Sequence, residues 1–185
     1  MSASSVDFAL LRVMIVDDNR HMRTLVCSIL HALKIKNIKE VGDGEGALTE
    51  INAFEPDIVI TDWQMEPMDG MTLVKTIRYS SEPMIRHVPI IMLTGHADAK
   101  RVQQARDSGI HEFLAKPVSA KPLLARLLNV MGNPRPFMRT DQYFGPDRRR
   151  QDVGPLPGET ERRVGGVAQL STADDGLSPD KVLAS

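Results

Sequence analysis

Features that define several other protein classes are scarce in this chain. Its 185 residues include one cysteine, Cys27, which excludes an intramolecular disulfide framework and a cysteine metal cluster. A reducing cytoplasm is therefore the expected compartment. No stretch approaches the roughly 18 consecutive apolar residues of a membrane span. The apolar start at residues 8–11 is interrupted by Arg12, so we expect neither a signal peptide nor a membrane span.

An excess of charge of either sign is also absent. The chain has 23 basic and 24 acidic residues and a formal charge of -1, which argues against a nucleic-acid surface along the whole chain. The length and the hydrophobic content of 42% suit one folded domain of about 100 to 150 residues with additional chain beyond it.

Short apolar runs alternate with segments of helical periodicity. In the first helical segment, apolar residues recur every three or four positions behind a cap at Asn19. This alternation predicts an α/β fold with a parallel sheet that helices cover on both faces. The five predicted strands are residues 11–16, 38–41, 57–61, 89–93 and 112–115. The fourth of the five predicted helices covers residues 97–108, and the fifth begins at Ala120.

The composition changes after Gly132. Prolines and glycines recur, large apolar residues become rare, and arginines cluster. Such a segment buries too little surface to offset its ordering entropy. We therefore expect an N-terminal segment at 1–8, one domain at 9–132, and a Pro/Gly/Arg-rich extension at 133–185 that is largely disordered or docks on a partner. No DNA-binding motif fits this extension, so we do not expect nucleic acid as a partner.

Polar and charged residues follow four of the predicted strands. Asp17 and Asp18 follow the first, Asp62 the third, Thr94 the fourth and Lys116 the fifth. The carboxyl ends of parallel strands meet at one edge of a sheet, so these side chains are expected to lie together. Carboxylates about 4 Å apart repel by about 4 kcal/mol per pair at an effective dielectric near 20. We expect a hard divalent cation such as Mg²⁺, together with the lysine, to offset that repulsion.

The same groups suit phosphoryl transfer. With cations present, Asp62 can act as an ionised nucleophile, and Thr94 offers a hydroxyl donor to an incoming phosphoryl group. Five separated segments then show a resemblance in both order and spacing. They are Val16-Asp17-Asp18-Asn19, Ile60-Thr61-Asp62, Met68-Asp69-Gly70, Leu93-Thr94-Gly95 and Phe113-Leu114-Ala115-Lys116-Pro117. They resemble the response-regulator receiver domain of bacterial two-component systems, in its single-domain, chemotaxis-type form.

This resemblance covers about residues 8 to 132 and implies a flavodoxin-like, doubly wound, five-stranded parallel sheet of order 2-1-3-4-5. It implies that Asp62 accepts phosphate from a histidine kinase or phosphotransfer protein. It also implies that Asp18 and Asp62 ligate Mg²⁺, for which Mn²⁺ can substitute. Asp17 would hold the metal through water, and the main-chain carbonyl of Gln64 would complete the protein ligands.

Further roles follow from the resemblance. Thr94 would close on the phosphoryl group, Lys116 would bridge to it, and Phe113 would turn inward as part of the switch. Gln64 and His96 would border the phosphoryl group and tune its lifetime. The face built from the fourth helix, fifth strand and fifth helix would bind a downstream effector or a second copy of the chain. A receiver catalyses its own phosphorylation and aspartyl-phosphate hydrolysis, so we expect no other enzyme activity.

The chain departs from the family pattern at two positions. Glu66 stands between Met65 and Pro67, whereas the proline follows the methionine directly in many receivers. Because proline fixes φ, the loop near Gln64 is expected to take a different path. Phe113 replaces a frequent tyrosine, so a signal through this side chain must depend on packing rather than on a hydroxyl.

Three alternatives stand beside this interpretation. A flavodoxin-like cofactor binder would share the architecture, but acids after the first strand would repel a flavin phosphate. A haloacid-dehalogenase-type phosphotransferase needs a second acid two residues after its nucleophile, and Gln64 occupies that place. A receiver whose tail supplies the output, by docking on a protein or less plausibly on nucleic acid, remains the alternative in function.

Overall fold

Most of the described chain folds around one five-stranded parallel sheet. The computed structural model describes residues 8–95, 108–133, 135–140 and 143–147. The strand order is β2-β1-β3-β4-β5, with every pairing parallel, so the predicted fold class is confirmed. The strands are β1 Arg12–Val16, β2 Asn37–Val41, β3 Ile58–Asp62, β4 Ile90–Thr94 and β5 Glu112–Ala115.

Five helices are described. They are α1 Arg20–Ala32, α2 Gly44–Phe54, α3 Gly70–Arg78, α4 Pro83–Arg86 and α5 Ala120–Gly132. The short α4, which begins at a proline, was not predicted. The helix predicted over residues 97–108 lies almost wholly outside the described residues. Within the described residues, no helix combines the length and hydropathy needed to cross a bilayer.

Side-chain caps fix where two helices begin. The side-chain oxygen of Asn19 accepts hydrogen bonds from the N–H groups of His21 at 2.9 Å and Met22 at 3.3 Å, which confirms the predicted cap of α1. The carboxylate of Asp69 accepts a hydrogen bond from the N–H of Thr72 at 2.6 Å and caps α3. Each cap follows acidic residues at a strand end: Asn19 follows Asp17 and Asp18, and Asp69 follows Asp62. The two caps therefore mark where the loops after these strands end.

The sheet separates two apolar layers. Successive β1 side chains enter opposite layers, as strand geometry requires. One layer contains buried residues of α1 and α5, including Val26, Leu30, Leu123 and Leu127. The other contains buried residues of α2 and α3, including Ala47, Ile51, Leu73 and Ile77. Because helices cover both faces, the central strands β3 and β4 are buried at every position.

A β-hairpin follows the last helix. Its strands, β6 Phe137–Thr140 and β7 Tyr143–Pro146, pair antiparallel. The sequence patterns predicted no strand here, because the surrounding extension is rich in proline and glycine. The hairpin nevertheless contains aromatic residues, and Tyr143 is buried. The domain boundaries at residues 9–132 and the disordered or docking character of the rest of the extension stay predictions.

Candidate functional site

Four strands deliver the predicted site residues to one edge of the sheet. Asp17 follows β1 directly, Asp62 ends β3, Thr94 ends β4 and Lys116 follows β5. The parallel register aligns these ends, since Asp62 lies opposite Leu93 and Thr94 opposite Ala115. The residues come from parts of the chain up to 99 positions apart, and the sheet topology brings them together.

Three carboxylates converge at this edge. Oxygen atoms of Asp17, Asp18 and Asp62 all lie within 4.8 Å of one another. Asp17 is fully buried, Asp62 is 6% exposed, and Asp18 faces solvent. Hard oxygen donors in this number and spacing are suited to a divalent cation such as Mg²⁺, which also keeps water ligands on an open side.

Lys116 bridges two of these carboxylates. Its Nζ lies 2.9 Å from Oδ2 of Asp62 and 3.1 Å from Oδ2 of Asp17. The other oxygen of each acid accepts a main-chain hydrogen bond at 2.8 Å, from the N–H of Trp63 for Asp62 and from that of Asn19 for Asp17. Both carboxylates are therefore held in fixed orientations.

The electrostatics of the site follow from burial and mutual charge. Burial raises the pKa of Asp17, and the charge of Asp62 adds to this, although the Asn19 hydrogen bond and Lys116 act in the opposite direction. Burial alone would lower the pKa of Lys116, but its hydrogen bond to Asp62 and the charges of both acids raise that pKa overall. Three carboxylates and one ammonium sum to a formal charge of -2 when all are ionised, which a divalent cation would balance.

The sequence patterns missed the supporting roles of two residues, Arg23 and Gly70. Nη1 of Arg23, on α1, donates to the main-chain carbonyl of Asp17 at 2.7 Å and to that of Asp18 at 3.3 Å. Gly70 begins α3 against the end of β3, where an added Cβ would lie 2.0 Å from the main-chain oxygen of Asp62. The motif Asp69-Gly70 was recognised, but the close backbone approach that requires glycine becomes visible only in the structure.

The predicted switch and tuning residues lie in different structural environments. Thr94 is buried, and its main-chain carbonyl accepts the N–H of Lys116 at 2.8 Å. Phe113 is half-buried in β5 and packs against the layer that contains α2 and α3. Gln64 is exposed in the loop between β3 and α3, and His96 lies outside the described residues. The functional roles of these four residues stay predictions.

The loop after Asp62 contains the departure noted in the sequence. Glu66 and Pro67 are both exposed, and the peptide bond between them is cis. Met65, just before them, is buried in the layer of α2 and α3 and attaches this loop to the core.

A doubly wound sheet of this order, with an acid trio, a threonine and a lysine at its carboxyl edge, is the arrangement expected of a receiver domain. The family described as the response regulator receiver domain matches residues 13–128, so the chain belongs to this family. The resemblance found in the sequence is thereby confirmed.

The proteins similar to this chain include chemotaxis proteins. The chain is 34% identical over 117 residues to chemotaxis protein CheY-3 of Vibrio cholerae serotype O1, covering 63% of this chain and 88% of that protein. It is 29% identical over 117 residues to chemotaxis protein CheY of Pseudomonas aeruginosa, covering 63% of this chain and 93% of the relative. The hairpin, at residues 137–146, lies beyond the residues 13–128 that match the family.

Solved structures show the same fold. The chemotaxis response regulator CheY4 of Vibrio cholerae matches with a TM-score of 0.60 and 29% identity, covering 65% of this chain and 98% of that one. A response regulator from Chloroflexus aurantiacus matches with a TM-score of 0.61 and 28% identity, covering 66% and 98% of the two chains.

Proposed function

We propose that this receiver accepts a phosphoryl group on Asp62 from a histidine kinase or a phosphotransfer protein, in a Mg²⁺-dependent reaction, and that this reaction switches a protein-binding face. The observation that carries the proposal is the contact of Lys116 with both Asp62 and Asp17 inside the acid trio. A cation between two carboxylates offsets their mutual repulsion and offers a positive charge to the incoming group.

The chemistry at Asp62 is a nucleophilic displacement. A carboxylate oxygen forms a bond to phosphorus while the N–P bond of a phosphohistidine donor breaks, and the leaving imidazole takes up a proton. The N–H of Trp63 holds one oxygen of Asp62, which orients the carboxylate. Lys116, already at 2.9 Å from the other oxygen, is close enough to contact the transferred group.

The oxygen donors suit a hard divalent cation. Asp18 and Asp62 are assigned as direct ligands, Asp17 as a ligand through water, and the main-chain carbonyl of Gln64 as the remaining protein donor. Mg²⁺, or Mn²⁺ in its place, neutralises phosphoryl oxygens when bound. Arg23 supports this arrangement by fixing the carbonyls of the loop that contains Asp17 and Asp18.

The output is assigned to the face around β5. Thr94 would move toward the phosphoryl group and Phe113 would follow into the space that it leaves. In the described part of this face, α5 exposes Leu128 at 43%, an apolar side chain suited to protein contact. The partner is a downstream effector or a second copy of the chain, bound through β5, α5 and the helix predicted over 97–108. We keep the cytoplasm as the expected compartment, since the single cysteine fits a reducing environment.

Phosphate labelling tests the assignment. The chain is incubated with Mg²⁺ and labelled acetyl phosphate, and the wild type is compared with Asp62→Asn and with the matched variant Asp57→Asn, an exposed aspartate before β3. We expect label on the wild type and on Asp57→Asn, and none on Asp62→Asn. Full labelling of Asp62→Asn would reject Asp62 as the acceptor. A size measurement after treatment with beryllofluoride separates the dimer from the effector-binding alternative.

A second output route uses the extension. The hairpin contains residues beyond the matched family region, so a protein partner that docks there would couple the receiver to a target directly. Docking on nucleic acid is the less favoured form of this alternative. A pull-down with chains ending at Asn133 and at Asp147 distinguishes the hairpin from the output face.

A further inference from the structure

The hairpin is joined closely to the amino edge of the sheet, opposite the acid trio. Gly145 in β7 meets Gly109 just before β5, where a Cβ on Gly145 would lie 2.6 Å from the Cα of Gly109. The rings of Phe137 and Phe144 lie 5.4 Å apart, and His87 contacts both rings edge-on at 4.6 and 5.3 Å. The hairpin therefore extends the surface of the receiver at this edge.

A buried positive charge lies beneath the hairpin. Arg78, the last residue of α3, is 2% exposed. Its Nε and Nη1 donate at 2.9 Å to the carbonyls of Gly109 and Arg86, and its guanidinium faces the Phe137 ring at 5.4 Å. These acceptors are neutral, and no carboxylate of the described residues pairs with this guanidinium. Burial lowers the pKa of Arg78 to about 9, so it is still charged at neutral pH.

A neutral histidine lies beside Arg78 and adds no negative charge. Nδ1 of His111 accepts the main-chain N–H of Ile90 at 3.2 Å and lies 3.5 Å from Nη2 of Arg78. Burial, with the nearby charges of Arg78 and Arg135, lowers the pKa of His111 to about 3. Among the described residues, Arg78 thus has only neutral hydrogen-bond partners, and a buried charge without a counter-ion is costly.

A groove of about 570 Å³ opens next to this charge. Arg78, Arg86 and Arg139 all line it, and no acidic residue is among the described residues of its wall. The guanidinium of Arg86 lies 4.9 Å from the Phe144 ring, and its Nε is buried without a hydrogen-bond partner in the described structure. Hydroxyl groups of Ser80 and Thr140 also line the groove. The described wall of the groove thus contains three arginines and the hydroxyl groups of Ser80 and Thr140, and no carboxylate to pair with them.

We propose that this groove binds a small phosphate-bearing ligand. Guanidinium groups pair with phosphate through forked, charge-assisted hydrogen bonds. A phosphate group carries up to two charges and three acceptor oxygens, whereas a single carboxylate offers two oxygens and one charge. A phosphate therefore suits a wall that contains two arginines not fully buried, Arg86 and Arg139. The volume lies within the range of small-molecule pockets, about 300 to 1,000 Å³.

The site depends on the hairpin, because Arg139 and Thr140 belong to β6 and Phe144 to β7. It lies at the edge of the sheet opposite Asp62 and does not rest on the phosphotransfer reaction. A receiver without the extension would lack half of the groove wall. The hairpin thus adds Arg139 and the aromatic side chains of Tyr143 and Phe144 to a wall to which the receiver itself contributes Arg78 and Arg86.

Calorimetric titration of the full chain tests the proposal. Inorganic pyrophosphate is the first probe and adenosine monophosphate the second, both in EDTA so that no divalent cation recruits phosphate to the acid trio. The variants are Arg86→Gln and Arg139→Gln, and the matched control is Lys36→Gln, an exposed lysine before β2. We expect saturable binding to the wild type, unchanged in Lys36→Gln and Asp62→Asn, and about tenfold weaker in each arginine variant.

Every outcome of the titration either supports the proposed phosphate site or overturns it. Tighter binding of adenosine monophosphate than of pyrophosphate, lost in the same arginine variants, supports the site and indicates that the Phe144 ring contacts a base. Equal affinities for the two probes, or tighter binding of pyrophosphate, lost in the same variants, support recognition through phosphate alone. Absence of saturable binding, or affinities that do not change in Arg86→Gln and Arg139→Gln, overturns the proposal. Loss of binding in Asp62→Asn alone also overturns it, because the probe would then occupy the acid trio.

Discussion

Nζ of Lys116 lies 2.9 Å from Oδ2 of Asp62, although their strands, β5 and β3, are separated by β4. The main-chain N–H of Lys116 donates to the carbonyl of Thr94 at the end of β4. This bond holds the turn after β5 beside the end of β4. From that turn, the long side chain of Lys116 reaches Asp62 and Asp17. The geometry links Asp62, Thr94 and Lys116, the proposed nucleophile, switch residue and fixed cation, through adjacent strand ends.

Replacing Lys116 by methionine removes the positive charge and keeps a side chain of similar length. The formal charge of the site would change from -2 to -3, so we expect Mg²⁺ to bind more tightly while phosphorylation by acetyl phosphate slows by about a hundredfold. The fluorescence of Trp63, half-buried beside Asp62, reports both events. Lys121→Met, at an exposed position of α5, is the control. Weaker Mg²⁺ binding in Lys116→Met would contradict the assigned electrostatics.

Gly70→Ala tests the close contact between α3 and β3. The new Cβ would lie 2.0 Å from the main-chain oxygen of Asp62, so the helix start or the strand end must shift. We expect the free energy of unfolding to fall by about 2 kcal/mol, measured in urea. Gly132→Ala, where an added Cβ meets nothing within 4 Å, should change stability by less than about 0.5 kcal/mol. Equal free energies of unfolding for Gly70→Ala and the wild type would show that the backbone shifts at little energetic cost.

The stability of the protein should depend on pH through His111. Its folded-state pKa of about 3 lies below the value of about 6.5 in an unfolded chain. Between these values the unfolded state binds a proton that the folded state does not, so stability falls as the pH decreases from 6.5 toward 3. This one group should account for a loss of about 2 kcal/mol between pH 7 and pH 5.

Urea unfolding at both pH values measures this effect in the wild type and in His111→Asn, whose side-chain oxygen can accept the N–H of Ile90. The variant should lose about 2 kcal/mol less than the wild type over the same interval. His31→Asn, at an exposed position, should retain the full dependence. Parallel pH profiles for the wild type and His111→Asn would contradict a buried neutral imidazole.

Removal of the hairpin should destabilise the receiver. A chain that ends at Asn133 loses Tyr143 and the two phenylalanines that cover Arg78 and His87. It also loses Arg135, whose Nη2 lies 3.2 Å from Oε1 of the buried Glu112. We expect the free energy of unfolding to fall by about 3 kcal/mol or more.

The matched chain for this comparison ends at Asp147 and keeps every described residue. It should unfold at the same urea concentration as the full chain, whereas the shorter chain unfolds earlier. Gly145→Ala gives an independent check, because its Cβ would collide with the backbone at Gly109. If the chains ending at 133 and 147 were equally stable, the hairpin would add nothing to the fold.

Several elements could be predicted closely and others only approximately. β5 was predicted at its observed bounds, whereas β3 and β4 each begin and end one residue later than predicted. The N–H of Trp63 donates to the carbonyl of Leu93 at 3.0 Å, so pairing between strands continues past the apolar run. Asp62 and Thr94 thus belong to the strands themselves, which holds their backbones more firmly than a loop would.

The sequence by itself determined the α/β class, the strand order through its family motifs, and the set of polar residues at the carboxyl edge. Those features depend on local periodicity and on the order of elements along the chain. Only the tertiary structure decided that Lys116 contacts both Asp17 and Asp62, that Gly70 must lack a side chain, and that the hairpin covers Arg78. These outcomes depend on distances between residues far apart in the chain, and local patterns carry no information about such distances.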